Sequence, residues 1–112
     1  MASPDEIWLV DFGDPHPGEP AYHRPALVVG PMPIFGSGLP FVFVVPLTTR
    51  ARGLSLHIAV EANEATHIDT DSYAQCELLR SVNTGRLIHR LGTVDLATSA
   101  AVSNVIKALL GY

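Results

Sequence analysis

The sequence is poor in cysteine, in lysine and in charge as a whole. Its single cysteine, Cys76, excludes a disulfide within one chain and makes a reducing cytoplasm the expected compartment. Charged residues make up 16% of the chain and hydrophobic residues 47%, which leaves few charges to cover the surface. Such a shortage of charge favours an oligomer or a face that binds a partner.

Positive charge is scarce and is almost entirely arginine. Seven basic residues against eleven acidic ones give a net charge of -4, which argues against a nucleic-acid binder that works through bulk positive charge. Lys107 is the only lysine, and the other six cations are Arg24, Arg50, Arg52, Arg80, Arg86 and Arg90. Because guanidinium groups grip phosphates through paired hydrogen bonds, a local basic surface stays compatible with the acidic total.

No apolar run is long enough for a membrane span. The longest, residues 39–47 (LPFVFVVPL), contains two prolines and is far shorter than the roughly 20 residues that a bilayer needs. The opening stretch MASPDEIWLVDF has no basic start followed by a hydrophobic segment, so no secretory signal is expected. A chain of 112 residues suits one core, and we expect a single domain over residues 1–112.

Neither a metal site nor a phosphate loop is predicted. Zinc-type spacing is absent among the five histidines, which are His16, His23, His57, His67 and His89. The glycines around Ser37 lack the lysine and following helix of a phosphate-binding loop. Cys76 lies in an apolar segment and is interpreted as a small buried hydrophobe rather than a nucleophile. We therefore expect no metal and no cofactor.

Short apolar stretches bounded by glycine and proline predict a mainly β fold. Predicted strands occupy residues 6–12, 25–30, 41–47, 54–60 and part of 85–92, with loops at 13–23 and 61–71. Residues 73–82 (YAQCELLRSV) fit either helix or strand on their pattern alone. Helical spacing over residues 95–110, with an acidic start and a glycine after the end, predicts a C-terminal helix. The predicted architecture is a small antiparallel β barrel with a capping helix.

Polar residues stand just outside or interrupt the predicted strands. They are Arg24 before residues 25–30, Thr48, Thr49 and Arg50 after residues 41–47, and Glu77 and Arg80 within residues 73–82. The connection PMPIFGSGLP is too short for a crossover helix, so the strands around it are expected to be antiparallel, with Arg24 and Thr48 at one sheet edge. An arginine beside hydroxyls can bind a phosphodiester and stabilise its transition state. The same residues also fit a surface salt bridge and a polar strand end.

Several segments, in order along nearly the whole chain, resemble the MazF/PemK family of toxin endoribonucleases. They are DEIWLVDFGDP (residues 5–15), HRPALVV (23–29), VVPLTT (44–49), DSYAQCELLRSV (71–82), GRLIHRLGTVD (85–95) and a terminal helix ending in ALLGY. The resemblance favours strand for residues 73–82 and implies a barrel of the MazF/CcdB type. It also implies a cytoplasmic toxin of a toxin–antitoxin system that acts as a homodimer and is neutralised by a MazE-like antitoxin.

The resemblance further implies metal-independent cleavage of single-stranded RNA at short sequences by 2′-hydroxyl attack. Arg24 and Thr48 correspond to the family's catalytic pair, and Glu19 to the glutamate before the arginine. The later motif corresponds to Glu77 and Arg80. The general base is left open among Glu19, Glu77 and His23. We expect the protein to bind operator DNA only through the antitoxin. We also expect any positively charged surface to be confined to the groove of the dimer.

Two departures from the family pattern concern the RNA-binding region. Prolines stiffen the loop EPAYH, where the family has glycines, and Leu78 stands where the family has glutamine. Tyr22 and His23 offer rings on which an unpaired base could stack, and Thr49 and Arg50 are further candidate RNA contacts. Two alternatives are a CcdB-like toxin that binds DNA gyrase without cutting RNA, and an inactive relative that only binds an antitoxin.

Overall fold

The computed structural model describes residues 2–112 as one antiparallel sheet with a C-terminal helix. The helix is α1 (Leu96–Leu110), and the strands are β1 (Glu6–Asp11), β2 (His23–Gly30), β3 (Phe41–Thr48), β4 (His57–Val60), β5 (Ser72–Gln75), β6 (Arg80–Asn83) and β7 (Leu87–Thr93). Short 3-10 turns occupy Pro33–Phe35, Cys76–Leu78 and Thr84–Arg86. The predicted fold class, mainly β with a terminal helix, is confirmed.

The sheet is curled but not closed into a ring. Its strand order is β4-β5-β3-β2-β1-β7, and β6 pairs with β3 beside β5. All strand pairs are antiparallel, including the predicted β2–β3 pair. In residues 2–112 the end strands β4 and β7 are not paired with each other, so the predicted barrel is an open, barrel-like sheet.

Strand β3 forms the centre of the sheet and has two partners along the same edge. Its first half pairs with β6, from Phe41 to Val44, and its last residues pair with β5. Pro46 lies in the gap between these two ladders, and a proline cannot donate a ladder hydrogen bond. The segment 73–82, expected as one strand, is therefore two strands separated by the turn Cys76–Leu78.

Alternating side chains place a separate apolar cluster on each face of the sheet. One cluster lies under α1 and contains, among others, Leu27, Val45 and Val102. The other contains Val10, Phe12, Ala26, Val28, Val42, Val44 and Val82. Successive strand residues point to opposite faces, so the even-numbered residues of β1, β2 and β3 share the face of the second cluster. We call this side of the sheet the even face.

Both ends of α1 have the caps that the sequence predicts. The Asp95 side chain accepts a hydrogen bond from the Thr98 N–H, and Gly111 takes the left-handed conformation with φ 82°. The predicted strand at residues 54–60 is shorter than expected and begins at His57. Across residues 2–112, no helix combines the length and the apolar character needed to cross a membrane.

Candidate functional site

The β2–β3 ladder directs Arg24 and Thr48 to the even face, two residues beyond its last pair. Ala26 pairs with Pro46, and continuing this register by two residues puts Arg24 across from Thr48. On its other side Arg24 pairs with Val10 of β1. Directly opposed residues of antiparallel strands have Cβ atoms roughly 5 Å apart and point to the same face. The guanidinium and the hydroxyl are thus held by neighbouring strand ends.

The Thr48 hydroxyl is built into the end of β3. Its side chain is buried, and Oγ1 accepts a hydrogen bond of 3.2 Å from the Arg50 N–H. This contact fixes the turn in which Thr49 and Arg50 are exposed. Since the hydroxyl accepts in this bond, its own proton is available for another acceptor.

Three arginines approach the end of β1, and two of them, Arg24 and Arg80, lie on the even face. The Arg80 guanidinium carbon lies 5.6 Å from the centre of the Phe12 ring, and Arg86 Nη1 donates to the Asp11 carbonyl at 3.3 Å. Arg24 reaches the same region because it pairs with Val10, two residues before Phe12. We call Arg24, Arg80 and Arg86 the arginine cluster.

No member of the arginine cluster is neutralised by a carboxylate in residues 2–112. The ion pairs in this part of the chain are His57–Glu77 and Arg90–Glu6. Three guanidinium groups near the end of β1, none paired with a carboxylate in residues 2–112, form a local positive surface in a chain of net charge -4. Such a surface can attract an anion such as a phosphodiester.

The loop between β1 and β2 holds Glu19 away from any ion pair with Arg24. The Glu19 carboxylate accepts a hydrogen bond of 2.8 Å from the His16 N–H and is exposed. Tyr22 closes the loop through two backbone hydrogen bonds, one from the Phe12 N–H to its carbonyl and one from its own N–H to Gly13. Its ring is 62% exposed and its φ is 51°, a conformation rare for a residue with a side chain.

His23 does not share the face of Arg24. It is the first residue of β2 and pairs with Asp11, one position before Arg24 along the strand. Because neighbouring strand residues alternate between faces, the His23 side chain lies on the side opposite Arg24. The structure therefore places Arg24 and Thr48 on one face of the sheet and His23 on the other.

The Glu77 carboxylate is hydrogen-bonded to the buried side chain of His57. His57 Nε2 and Glu77 Oε2 are 2.9 Å apart, and the side chain of His57 is only 2% exposed. Glu77 lies in the turn between β5 and β6, three residues before Arg80. The contact with His57 gives Glu77 a fixed orientation close to Arg80, the first residue of β6.

The thiol of Cys76 is unsuited to nucleophilic chemistry. Burial raises the pKa of Cys76 to about 11, and the neighbouring Glu77 carboxylate adds to the shift. The thiolate, which is the reactive form, is therefore scarce at neutral pH. Among residues 2–112 no three metal-ligating side chains of His, Cys, Asp or Glu come together.

Sequence reasoning missed two residues next to Thr48. Tyr73 pairs directly with Thr48 in the β3–β5 ladder, so both side chains lie on the even face. Gln75, two residues further on, shares that face, is only 7% exposed, and its Oε1 has no hydrogen-bond partner in residues 2–112. The alternation Tyr-x-Gln was visible in the sequence, but its meaning depends on which strand pairs with β3.

Comparison with known proteins identifies the family. The family model described as PemK-like, MazF-like toxin of type II toxin–antitoxin system matches residues 3–110. The curated protein Endoribonuclease MazF9 of Mycobacterium tuberculosis is 31% identical over 109 residues, which cover 91% of this chain and 90% of that protein. The chain thus belongs to the PemK-like, MazF-like family of type II toxins.

Solved structures agree with this fold. A crystal structure of MazF from Deinococcus radiodurans superposes with a TM-score of 0.83 at 20% identity, covering 99% of this chain and 97% of that one. An endoribonuclease from a mycobacterial species, solved in complex with its cognate antitoxin, gives a TM-score of 0.79 at 19% identity, covering 99% and 96%. At these identities the likeness shows the fold.

Proposed function

We propose that this protein is the toxin of a toxin–antitoxin pair and an endoribonuclease that cuts single-stranded RNA at short sequences without a metal. The observation that carries the proposal is that Arg24, free of any carboxylate in residues 2–112, and the Thr48 hydroxyl lie on one face at the ends of adjacent strands. Membership in the family and the likeness to Endoribonuclease MazF9 support the activity.

The proposed reaction is an attack of the ribose 2′-hydroxyl on its own 3′-phosphate. The O2′–P bond forms while the P–O5′ bond breaks, leaving a 2′,3′-cyclic phosphate and a 5′-hydroxyl. A general base takes the 2′-hydroxyl proton, and the departing 5′-oxygen receives one. Arg24 stabilises the extra negative charge of the phosphorane, and the Thr48 hydroxyl donates to a phosphate or leaving-group oxygen.

The arrangement favours a carboxylate over His23 as the general base. His23 lies on the face opposite Arg24, whereas Glu77 is oriented by His57 in the turn that precedes Arg80. Glu19 belongs to the loop that leads into Arg24 and keeps one carboxylate oxygen on the His16 N–H. The exposed Tyr22 ring in this loop suits stacking on an unpaired base. We assign Thr49, Arg50 and Arg80 to RNA binding.

The proposed partners are a second copy of the chain and a MazE-like antitoxin. Solved structures of MazE–MazF from Deinococcus radiodurans and of a mycobacterial endoribonuclease with its cognate antitoxin support this assignment. An antitoxin segment that folds onto the toxin and covers the arginine cluster would block RNA. Operator DNA would then be bound only through the antitoxin. The cytoplasm, where RNA is present and Cys76 stays reduced, is the proposed compartment.

The proposal is tested by incubating the purified protein with single-stranded RNA in EDTA. Cleavage is expected to continue in EDTA, and the new 5′ ends are expected to accept phosphate from a kinase without prior phosphatase treatment. Arg24→Ala and Thr48→Val should each slow cleavage by roughly 100-fold or more, as when one transition-state donor is removed. Thr48→Ser keeps the hydroxyl and should stay within about tenfold of the parent rate.

A matched control separates the arginine of the site from positive charge in general. Arg52→Ala removes an exposed arginine outside the cluster and should leave the rate nearly unchanged. Uncut RNA with inhibited gyrase supercoiling would instead support a CcdB-like protein-binding toxin. Uncut RNA with intact antitoxin binding would support an inactive relative, and cleavage by Arg24→Ala at the parent rate would refute the site.

A further inference from the structure

Two polar atoms without a hydrogen-bond partner in residues 2–112 belong to directly opposed residues of the β4–β5 ladder. His57 pairs directly with Gln75, and both side chains are almost fully buried. His57 Nε2 contacts Glu77, but His57 Nδ1 and Gln75 Oε1 have no hydrogen-bond partner in residues 2–112. Buried polar groups in proteins are nearly always satisfied by protein, water or ligand, so these two atoms are candidates for contact with a bound group.

This pair lies beside the candidate cleavage site on the same face. Thr48 pairs with Tyr73, and Gln75 follows Tyr73 by two residues, which is about 7 Å along the strand. Strands in a sheet are about 4.8 Å apart, so Gln75 lies one strand and one row away from Thr48. A nucleotide next to the scissile phosphate is therefore within reach of this position.

The chemistry of the two atoms is that of a double acceptor. A carboxylate only accepts hydrogen bonds, so the contact with Glu77 places an imidazole proton on His57 Nε2, and in the neutral ring Nδ1 then carries a lone pair. The amide oxygen of Gln75 is also an acceptor. Directly opposed side chains in a ladder are close enough for one small group to bridge them.

A nucleobase amino group matches this double acceptor. The exocyclic amines of adenine, cytosine and guanine each carry two N–H donors, whereas uracil presents only carbonyl oxygens there. Bases of single-stranded RNA are splayed out, and their edges can enter such sites. The terminal amide torsion of glutamine is soft, so rotation of this group gives a base edge access to it.

We propose that Gln75 and His57 form a base-recognition subsite that binds the exocyclic amino group of adenine, cytosine or guanine and disfavours uracil. The inference rests on the proposed function, because it concerns which nucleotide is accepted next to the cleaved bond. Gln75 is the specificity residue that contacts the base. Glu77 is a positioning residue for this subsite, since it sets the tautomer of His57.

The test compares cleavage of a randomised single-stranded RNA pool by the parent protein and by Gln75→Met. Cut sites are mapped by sequencing the new 5′ ends, with the rate for each sequence. The parent is expected to disfavour uracil at one position near the cut. Gln75→Met keeps the size of the side chain without its hydrogen bonds, and should reduce this discrimination by about tenfold at that position alone.

Two controls exclude a purely structural role for Gln75. Ser81→Ala removes an exposed polar side chain on β6, at a position that pairs with Phe43 on the opposite face, and should keep the parent preference. The thermal midpoint of Gln75→Met should match the parent, since Oε1 has no hydrogen-bond partner within residues 2–112 that could be lost. A lowered midpoint with equal slowing at every sequence would overturn the subsite.

A binding selection separates failure of the subsite from failure of the nuclease. The same proteins select from a randomised 2′-O-methyl RNA pool, which has no 2′-hydroxyl to attack. A Gln75-dependent preference for amino-bearing bases in this pool supports the subsite even if no RNA is cut. Equal preferences for the parent and Gln75→Met overturn it, and a protein that binds no RNA overturns both proposals.

Discussion

The Cys76 thiol illustrates how burial decides the chemistry of a single residue. With a pKa of about 11 instead of 9.0, its thiolate fraction at pH 7 is about a hundredfold lower than that of an ordinary cysteine. We expect iodoacetamide to leave the folded protein unmodified and its RNA cleavage unchanged. Mass spectrometry should show full alkylation only after unfolding in urea. Rapid alkylation in native buffer would mean that the segment around Cys76 opens readily.

Which site residues were predictable depends on how each one reaches the site. Arg24 and Thr48 flank two apolar runs that are joined by a short connection, so local patterns already predicted their shared edge. Tyr73 and Gln75 reach the same face only because β5, far away in sequence, pairs with the end of β3. Non-local pairing of this kind leaves no local signal, and the pairing of His57 with Glu77 was invisible for the same reason.

Among the elements, β1 carries a carboxylate whose ionisation stabilises the fold. Burial alone would raise the pKa of Glu6, but hydrogen bonds from Trp8, the Ser3 N–H and Arg90, with the charge of Arg90, lower it below its usual 4.5. A lowered pKa means that the stabilisation is present above pH 4.5 and is lost as the pH falls through the folded-state value. The ion pair between Glu6 of β1 and Arg90 of β7 therefore stabilises the contact of these strands mainly when Glu6 is charged.

We therefore expect Glu6→Gln to lower the thermal midpoint at pH 7, with a difference from the parent that shrinks towards pH 3. Scanning calorimetry from pH 3 to pH 7 measures this difference. Glu64→Gln, at an exposed position in the loop before β5, is the matched control and should follow the parent curve. A deficit of equal size at both ends of the pH range would show that the charge of Glu6 is not its source.

The elements also show where sequence patterns fail. Both ends of α1 follow from Asp95 and Gly111, whose capping chemistry is local. The break between β5 and β6 has a different origin, since Pro46 lies in the neighbouring strand rather than in the broken segment. A helix end is encoded where it occurs, but a strand end can be encoded by its partner.

On the scale of the whole molecule, the two faces of the sheet have different surfaces. The even face carries Arg24 and Arg80, and together with Arg86 they give this acidic chain a local positive surface, which we propose binds RNA. The opposite face, under α1, carries an apolar groove of about 520 Å³ lined by Leu27, Val29, Phe43, Ile106 and Leu110, among others. Phe43 and Leu110 are exposed there, together with Met32 from the loop after β2.

This groove is where we expect the second copy of the chain to pack, since exposed apolar patches of this kind mark interfaces. The positive surface would then lie on the other face of the sheet, and not in the dimer groove that the sequence led us to expect. Phe43→Glu places a charge in the groove and should shift the protein from dimer to monomer in sedimentation velocity at micromolar concentration. Ile88→Glu changes an equally exposed apolar residue on β7, away from the groove, and should remain dimeric. Dimers that persist in Phe43→Glu but dissociate in Ile88→Glu would move the interface to the β7 edge of the sheet.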